Sequence, residues 1–262
     1  MCLSSTVGRA FDLGEFRMRL VPTGYQPGSA GLFIEREGRT RSYVGCFCPE
    51  TLSPSAPAAE VRQTHALCLD ATYAHPRFVF PPRFEVLQEL CDFVVRAASS
   101  AKTPVVVLPL TGPVSAVIRV LGQAALKIRA HSRFLSFHQR LLTFEPDLPP
   151  LHRFSQKIGN GECLLWPVEL WDSFVPQPTM ATAFVSGMVA DPLWAPNSCV
   201  SKGFPLSNQA SHTELCAFIK ASGAREVALF HGFAESFTVE MATRARKAYV
   251  LTSPQQMLLL GA

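Results

Sequence analysis

"ALCLDATYAHPRFVFPPRFEV", Ala66–Val86, holds three kinds of chain in succession. Ala66–Asp70 is a short, continuous apolar run that ends on a carboxylate, the pattern of a strand in a sheet buried on both faces. His75–Pro82 is aromatic and proline-rich, which stiffens the chain into a turn and suggests a rigid packing element. Pro82 then stands before a predicted helix over 83–99, where Leu87, Leu90, Cys91, Val94 and Ala98 fall on one stripe. Strand, stiff turn and helix together indicate an α/β protein, with Asp70 at a strand end, where the sites of such folds collect.

The rhythm continues on both sides. Downstream, strands are predicted at 103–110, 126–131, in "ECLLWPV", at 182–189 and at 225–232, those at 103–110 and 225–232 buried, with "YVLTS" as a last strand. Helices are predicted at 113–124, 211–223 and 236–248; Ser211 and Glu214 fit a capping box, and Gly223 fits the stop of that helix. Apart from the one strand, 132–180 gives no clear assignment. Upstream, "FRMRLV" alternates, "GLFIEREGRTRSYVGCF" reads as a hairpin turning at Glu37-Gly38, and 49–62 is a Pro/Ser/Ala-rich loop. The alternation of strands and helices predicts a largely parallel sheet.

Composition limits the classes open to the chain. With 48% hydrophobic and 17% charged residues among 262, a large core is expected and wholesale disorder is not. No apolar run reaches the roughly 18–20 residues of a membrane span, so no membrane association is expected. The N-terminus lacks the apolar stretch of a secretory signal, and its Ser/Arg content is weak support for a transit peptide. Cysteines at 2, 46, 48, 68, 91, 163, 199 and 216 form no CxxC pair. Reduced, mostly buried thiols in an intracellular reducing compartment, nucleus or mitochondrion, are expected.

Charge is unevenly spread. Between Asp92 and Glu145 there is no acidic residue, while Arg119, Lys127, Arg129, Arg133 and Arg140 all lie there. These five are the candidate nucleic-acid contacts; the other reading is a solvated face whose acids come from elsewhere in space. Phosphate loops, dinucleotide fingerprints, nucleophile elbows, HExxH and Cys/His clusters at zinc spacing are all absent.

Three stretches carry a resemblance. "LCLDATYAHPRFVFPPRFEV", "LVPTGYQPGSAGLFIEREGRTRSYVGCF" and "FPLSNQASHTELCAFIKASGAREVALFHG" stand in the order and spacing of segments of the β-CASP/metallo-β-lactamase-fold nucleases. The DNA cross-link-repair branch (Artemis/Apollo type) is nearest, and a bacterial ligase-associated exonuclease branch is similar. The resemblance implies a partial metallo-β-lactamase αββα sandwich, its N-terminal half missing, with a Rossmann-like β-CASP portion. It divides the chain into 1–66, 67–200 and 201–262, the last returning to the first sheet.

Members of that family hydrolyse phosphodiesters with zinc held by His and Asp. Here the matching ligand positions are Tyr25, Cys46 and Gln209, and the HxHxDH motif is absent. Asp70 remains, and His231 sits where some branches place a last histidine. The resemblance therefore implies a non-catalytic binding or complex subunit in nucleic-acid metabolism, with no metal or cofactor. A nuclease with an atypical or partner-completed site is the alternative. A protein partner is expected over the missing half, and nucleic acid is a second expected partner. The bland readings stay open: Asp70 as an acceptor for its own turn, His231 as a hydrogen-bonded core histidine, and Trp166, Trp171 and Trp194 as core or contact residues.

Overall fold

The computed structural model describes residues 6–155, 157–196, 198–243 and 247–251. Strands β1 (Ala10–Leu13), β2 (Phe16–Pro22), β3 (Ala30–Arg36) and β4 (Arg39–Val44) form an antiparallel meander. β5 (Ala66–Asp70) joins β4 in parallel. There follow α1 (Arg83–Ser99), β6 (Thr103–Leu108), α2 (Val114–Gln123), β7 (Lys127–Ala130) and α3 (Ser132–Leu141). Next come β8 (His152–Arg153), β9 (Glu162–Pro167), β10 (Met180–Val185) and β11 (Lys202–Phe204). α4 (His212–Ser222), β12 (Glu226–Phe230), α5 (Ala234–Thr243) and β13 (Lys247–Val250) complete the described chain.

These strands make a mixed α/β protein with two sheets. A mixed seven-stranded sheet runs β1-β2-β3-β4-β5-β12-β13, and a parallel six-stranded sheet runs β11-β10-β6-β9-β7-β8. β5 and β12 are parallel neighbours, Leu67 opposite Val227 and Asp70 opposite Phe230, so the whole six-stranded sheet is inserted between them.

The six-stranded sheet is covered on both faces. Val106, Leu108, Ala130 and Leu165 meet Leu90, Val94, Ile118 and Phe134 from α1–α3, which share one face. Val105, Val107 and Leu164 meet Trp166, Trp171 and Phe174 on the other, where aromatic loops and a 3-10 turn at Val168–Ser173 replace helices. The expected Rossmann-like layering thus narrows to helices on a single face.

Among the described residues the seven-stranded sheet is covered on one face only. Val44, Leu67, Leu69, Val227 and Leu229 pack under Leu215, Phe218, Phe237 and Met241 of α4 and α5. Side chains alternate along strands, so the registers put Leu20, Leu32, Tyr43, Cys68, Ala228 and Tyr249 in a row on the opposite face. Tyr43 is 48% exposed there, Tyr249 40% and, beyond the row, Leu13 49%. The double burial expected of Ala66–Asp70 is therefore corrected: Leu67 and Leu69 are buried while Cys68 is not.

Locally, most expectations match. α4 carries the capping box, Ser211 N–H donating to Glu214 Oε2 at 2.7 Å, and ends on a left-handed Gly223. α1 begins after Pro82 as expected; Leu90 and Val94 of the predicted stripe are buried, Val86 and Ala97 join them, and Leu87 packs partly buried against the same core beside a surface cleft. α5 begins earlier than predicted and gives way to β13; 244–246, inside the predicted helix, and Thr252-Ser253 of the last predicted strand lie outside the described residues. Helix α3 and strands β1 and β11 were not anticipated.

Candidate functional site

The ends of β4, β5 and β12 and the loops before β3 and α4 bring the polar groups together. Asp70, 8% exposed, ends β5. Its Oδ1 accepts from Thr72 N–H at 2.8 Å and from the Thr72 hydroxyl, closing a side-chain turn on its own backbone. Oδ2 lies 3.0 Å from His231 Nδ1 and accepts from the Cys46 thiol at 3.7 Å. β12 reaches this position through two left-handed residues, His231 (φ 63°) and Gly232 (φ 43°). A Cβ at Gly232 would run into the Thr72 backbone, so only glycine lets the two strand ends close on each other.

The three positions singled out from the sequence lie around this carboxylate. Gln209 Nε2 sits 2.6 Å from Cys46 Sγ. Tyr25 OH shares a hydrogen bond of 3.0 Å with Thr111 in the loop between β6 and α2, and Asn208 Nδ2 donates to the Tyr25 carbonyl at 2.7 Å. Arg83, at the start of α1, donates to the Ser207 carbonyl at 2.9 Å and to Asn208. The site therefore sits where the two sheets are tied together. Arg83 carries no signal in the sequence; Asn208 falls in the polar Ser207–Ser211 loop that the sequence places at a strand end, and Thr72 in the Asp-x-Thr spacing that closes β5.

Burial pushes the Cys46 thiol up to about 11, with the Asp70 carboxylate adding to it, and pushes the Tyr25 phenol up to about 12. Both groups are neutral at pH 7. A zinc centre of the kind the resemblance implies needs several imidazole or deprotonated donors at one point. Here the carboxylate is held by Thr72 and His231, the sulfur by an amide, and the phenol by Thr111. The cleft beside Cys46, Asp70 and Gln209 has a volume of about 10 Å³. The donor set does not fit zinc. What the arrangement does hold is one imidazole: Asp70 fixes Nδ1 of His231, whose side chain is otherwise 70% exposed.

The five candidate nucleic-acid residues divide into two groups. Arg119 is bound by Asp147 at 2.8 and 3.0 Å and by buried Glu145 at 3.2 Å. Arg129 meets Glu162 at 2.9 and 2.7 Å, and Lys127 approaches the same carboxylate at 3.8 Å. The acids that neutralise these three lie just beyond the acid-free window. Arg133 and Arg140 are exposed on α3, and among the described residues no ion pair involves either.

Buried Glu145 also accepts from Ser53 and Ser55 at 3.0 and 3.1 Å, a second tie between the sheets. Cys48 and Cys163 are buried, but Cys68, Cys91 and Cys216 are only partly so and Cys199 is exposed, fewer buried thiols than expected. Cys46, Cys48, Cys68, Cys91 and Cys163 are in no disulfide; Cys2 lies outside the described residues. Trp166, Trp171 and Trp194 pack into the aromatic layer, Trp166 donating to the Leu170 carbonyl at 3.0 Å. The stiff turn packs as expected, Tyr73 against Phe78 and Phe80, and Arg77 over Phe233.

Among the described residues no helix is long and apolar enough to cross a membrane. No family model matches the chain. A curated protein from Opitutus terrae, named "Probable DNA ligase", is similar to it: 25% identical over 243 residues, 92% of this chain and 24% of that protein. The chain thus spans about a quarter of the length of the relative it matches. This finding overturns the resemblance to the β-CASP/metallo-β-lactamase nucleases, since the similarity that covers nearly the whole chain leads to a protein of another name. With the resemblance go the functions drawn from it, the degenerate nuclease-fold subunit and the atypical nuclease, and the RNA-processing role.

Proposed function

We propose that the chain is a DNA-handling protein related to part of a DNA ligase, and that it holds DNA along the outer face of α3. The observation that carries this is the pair Arg133 and Arg140. Both are exposed, both lack an ion pair among the described residues, and they stand seven residues apart on a helix that has no acid. Seven residues bring a side chain back to the same helix face about 10.5 Å along. That spacing matches about three phosphate steps of one DNA strand at about 3.4 Å each. The similarity to a protein named a DNA ligase favours DNA over RNA. Fluorescence anisotropy with labelled single- and double-stranded DNA, repeated across salt concentrations, tests the reading. Absence of binding at low salt would remove it.

Asp70 and His231 are proposed as a positioning pair that locks the ends of β5 and β12, with no catalytic step assigned. The seven-stranded sheet with α4 and α5 is proposed as one unit and α1 to β11 as its insertion, so the expected limits at 67 and 200 move to the ends of β5 and β11. The seven-stranded sheet is proposed as half of a sandwich. Its open face has an apolar floor of Leu13, Phe16, Met18 and Ile34 with Arg39 and Arg41 beside it. A protein partner with an apolar centre and an acidic rim fits that face. Cys46, Cys48, Cys68, Cys91 and Cys163, in no disulfide, support a reducing compartment.

A further inference from the structure

On the outer side of the seven-stranded sheet, α4 and α5 bring together three donors that no motif in the sequence announces. His212 and Cys216 stand four residues apart on α4, hence on one helix face. Glu240 comes from α5. His212 Nε2 lies 2.7 Å from Glu240 Oε2; Cys216 Sγ lies 3.9 Å from His212 Nε2 and 3.9 Å from Glu240 Oε1. One ligand atom from each falls within 4.8 Å of the others, and all three residues are partly buried.

The geometry points to a site for a borderline divalent transition ion, Zn²⁺ foremost, held by His212, Cys216 and Glu240 with a fourth position open to water. Two arguments select an ion over other uses of the same residues. First, a nucleophile–base–orienter relay uses both ring nitrogens, one for the thiol and one for the acid. Here the thiol and the carboxylate both approach the same nitrogen, Nε2. Second, the shifts needed are small. Tetrahedral bonds of about 2.0–2.3 Å put ligand atoms roughly 3.3–3.6 Å apart. The imidazole and carboxylate must open from 2.7 Å, and the sulfur must close from 3.9 Å, each by less than about 1 Å. The His212 ring packs edge-on to Phe237 at 5.5 Å, which limits its rotation while Nε2 stays in the cluster.

Thiolate and imidazole exclude magnesium and calcium, which prefer all-oxygen sites. On binding, the Cys216 thiol releases its proton to solvent and the Nε2 proton, where present, moves to Nδ1. The bound ion would staple α4 to α5. These residues are separate from the Asp70 group, and the inference does not rest on the DNA reading.

The test uses the purified full chain, stripped with a chelator and titrated with Co²⁺. The expected result is a thiolate-to-cobalt charge-transfer band with tetrahedral d–d bands, saturating near about one equivalent and displaced by Zn²⁺. Cys216→Ser loses the charge-transfer band and binds at least about tenfold more weakly, while Cys199→Ser and Cys46→Ser keep it. Zn²⁺ raises the melting temperature of the wild-type chain and not that of His212→Asn, a readout that stands even if Cys216→Ser misfolds. Absence of a cobalt spectrum, a band that survives Cys216→Ser, or an equal zinc-induced shift in His212→Asn overturns the proposal.

Discussion

The two sheets are made of strands of similar apolar character and end up differently covered. In the six-stranded sheet, Val106 and Leu165 face helices while Val105, Val107 and Leu164 face an aromatic layer, so the chain itself supplies both coats. In the seven-stranded sheet, Leu67 and Leu69 lie under α4 and α5, while Cys68 and Tyr43 next to them have no second layer among the described residues. The polar groups of the candidate site gather at the strand ends of this half-covered sheet. Apolar side chains on both faces of a strand therefore do not by themselves tell which face the described chain covers.

The largest effect separating the sheets is a cavity in the closed one. Leu165→Ala, at a position with no exposed surface, is expected to cost about 2–5 kcal/mol in denaturant unfolding. Next comes the hinge between β5 and β12. Gly232→Ala places a Cβ against the Thr72 backbone and is expected to cost about 1–3 kcal/mol, with loss of the Asp70–His231 contact visible in the His231 ring resonances.

The third lies at the rim of the inserted sheet. The Arg129 guanidinium, the Gly159 N–H and nearby Lys127 hold the Glu162 carboxyl down to about 2, from its ordinary 4.5. A depressed carboxyl contributes stability that is present above 4.5 and lost as pH falls toward 2. Melting curves across that window should therefore fall more steeply for the wild type than for Glu162→Gln; equal slopes would contradict the assignment. The smallest effect belongs to the open face. Tyr43→Ser, half-exposed, should change stability by less than about 1 kcal/mol. A cost equal to that of Leu165→Ala would mean that this face is already covered, and the contrast between the sheets would fail.

Much of this architecture was legible. Ala66–Asp70, the helix over 83–99, the Glu37-Gly38 hairpin and the capping box at Ser211 follow from local patterns that tertiary packing leaves intact. α3 was not, because its stripe of Phe134, His138 and Leu141 contains a histidine, polar on any apolar scale; His138 is buried with Nε2 3.0 Å from the Pro149 carbonyl. Asp70 and His231 stand out as polar groups at predicted strand ends, while Tyr25, Cys46 and Gln209 were picked out only by the resemblance to the nuclease family; hydrogen bonds join Cys46 to Asp70 and Gln209, and His231 to Asp70. The pairing of Arg119, Lys127 and Arg129 was hidden because Glu145, Asp147 and Glu162 lie outside the window that was counted. Glu240 lies 24 residues beyond Cys216, too far for any local motif to link them.

The distinction between arginines that meet a carboxylate and arginines with no ion pair among the described residues is what the proposed DNA contact stands on, and the salt dependence of DNA affinity measures it most directly. Each phosphate contact contributes about 0.9 to the slope of log affinity against log salt. Arg133→Ala with Arg140→Ala should lower that slope by about 1.8, while Arg119→Ala, whose charge is already taken by Asp147 and Glu145, should leave it unchanged. A slope unaffected by the double substitution, or lowered equally by Arg119→Ala, would contradict the account.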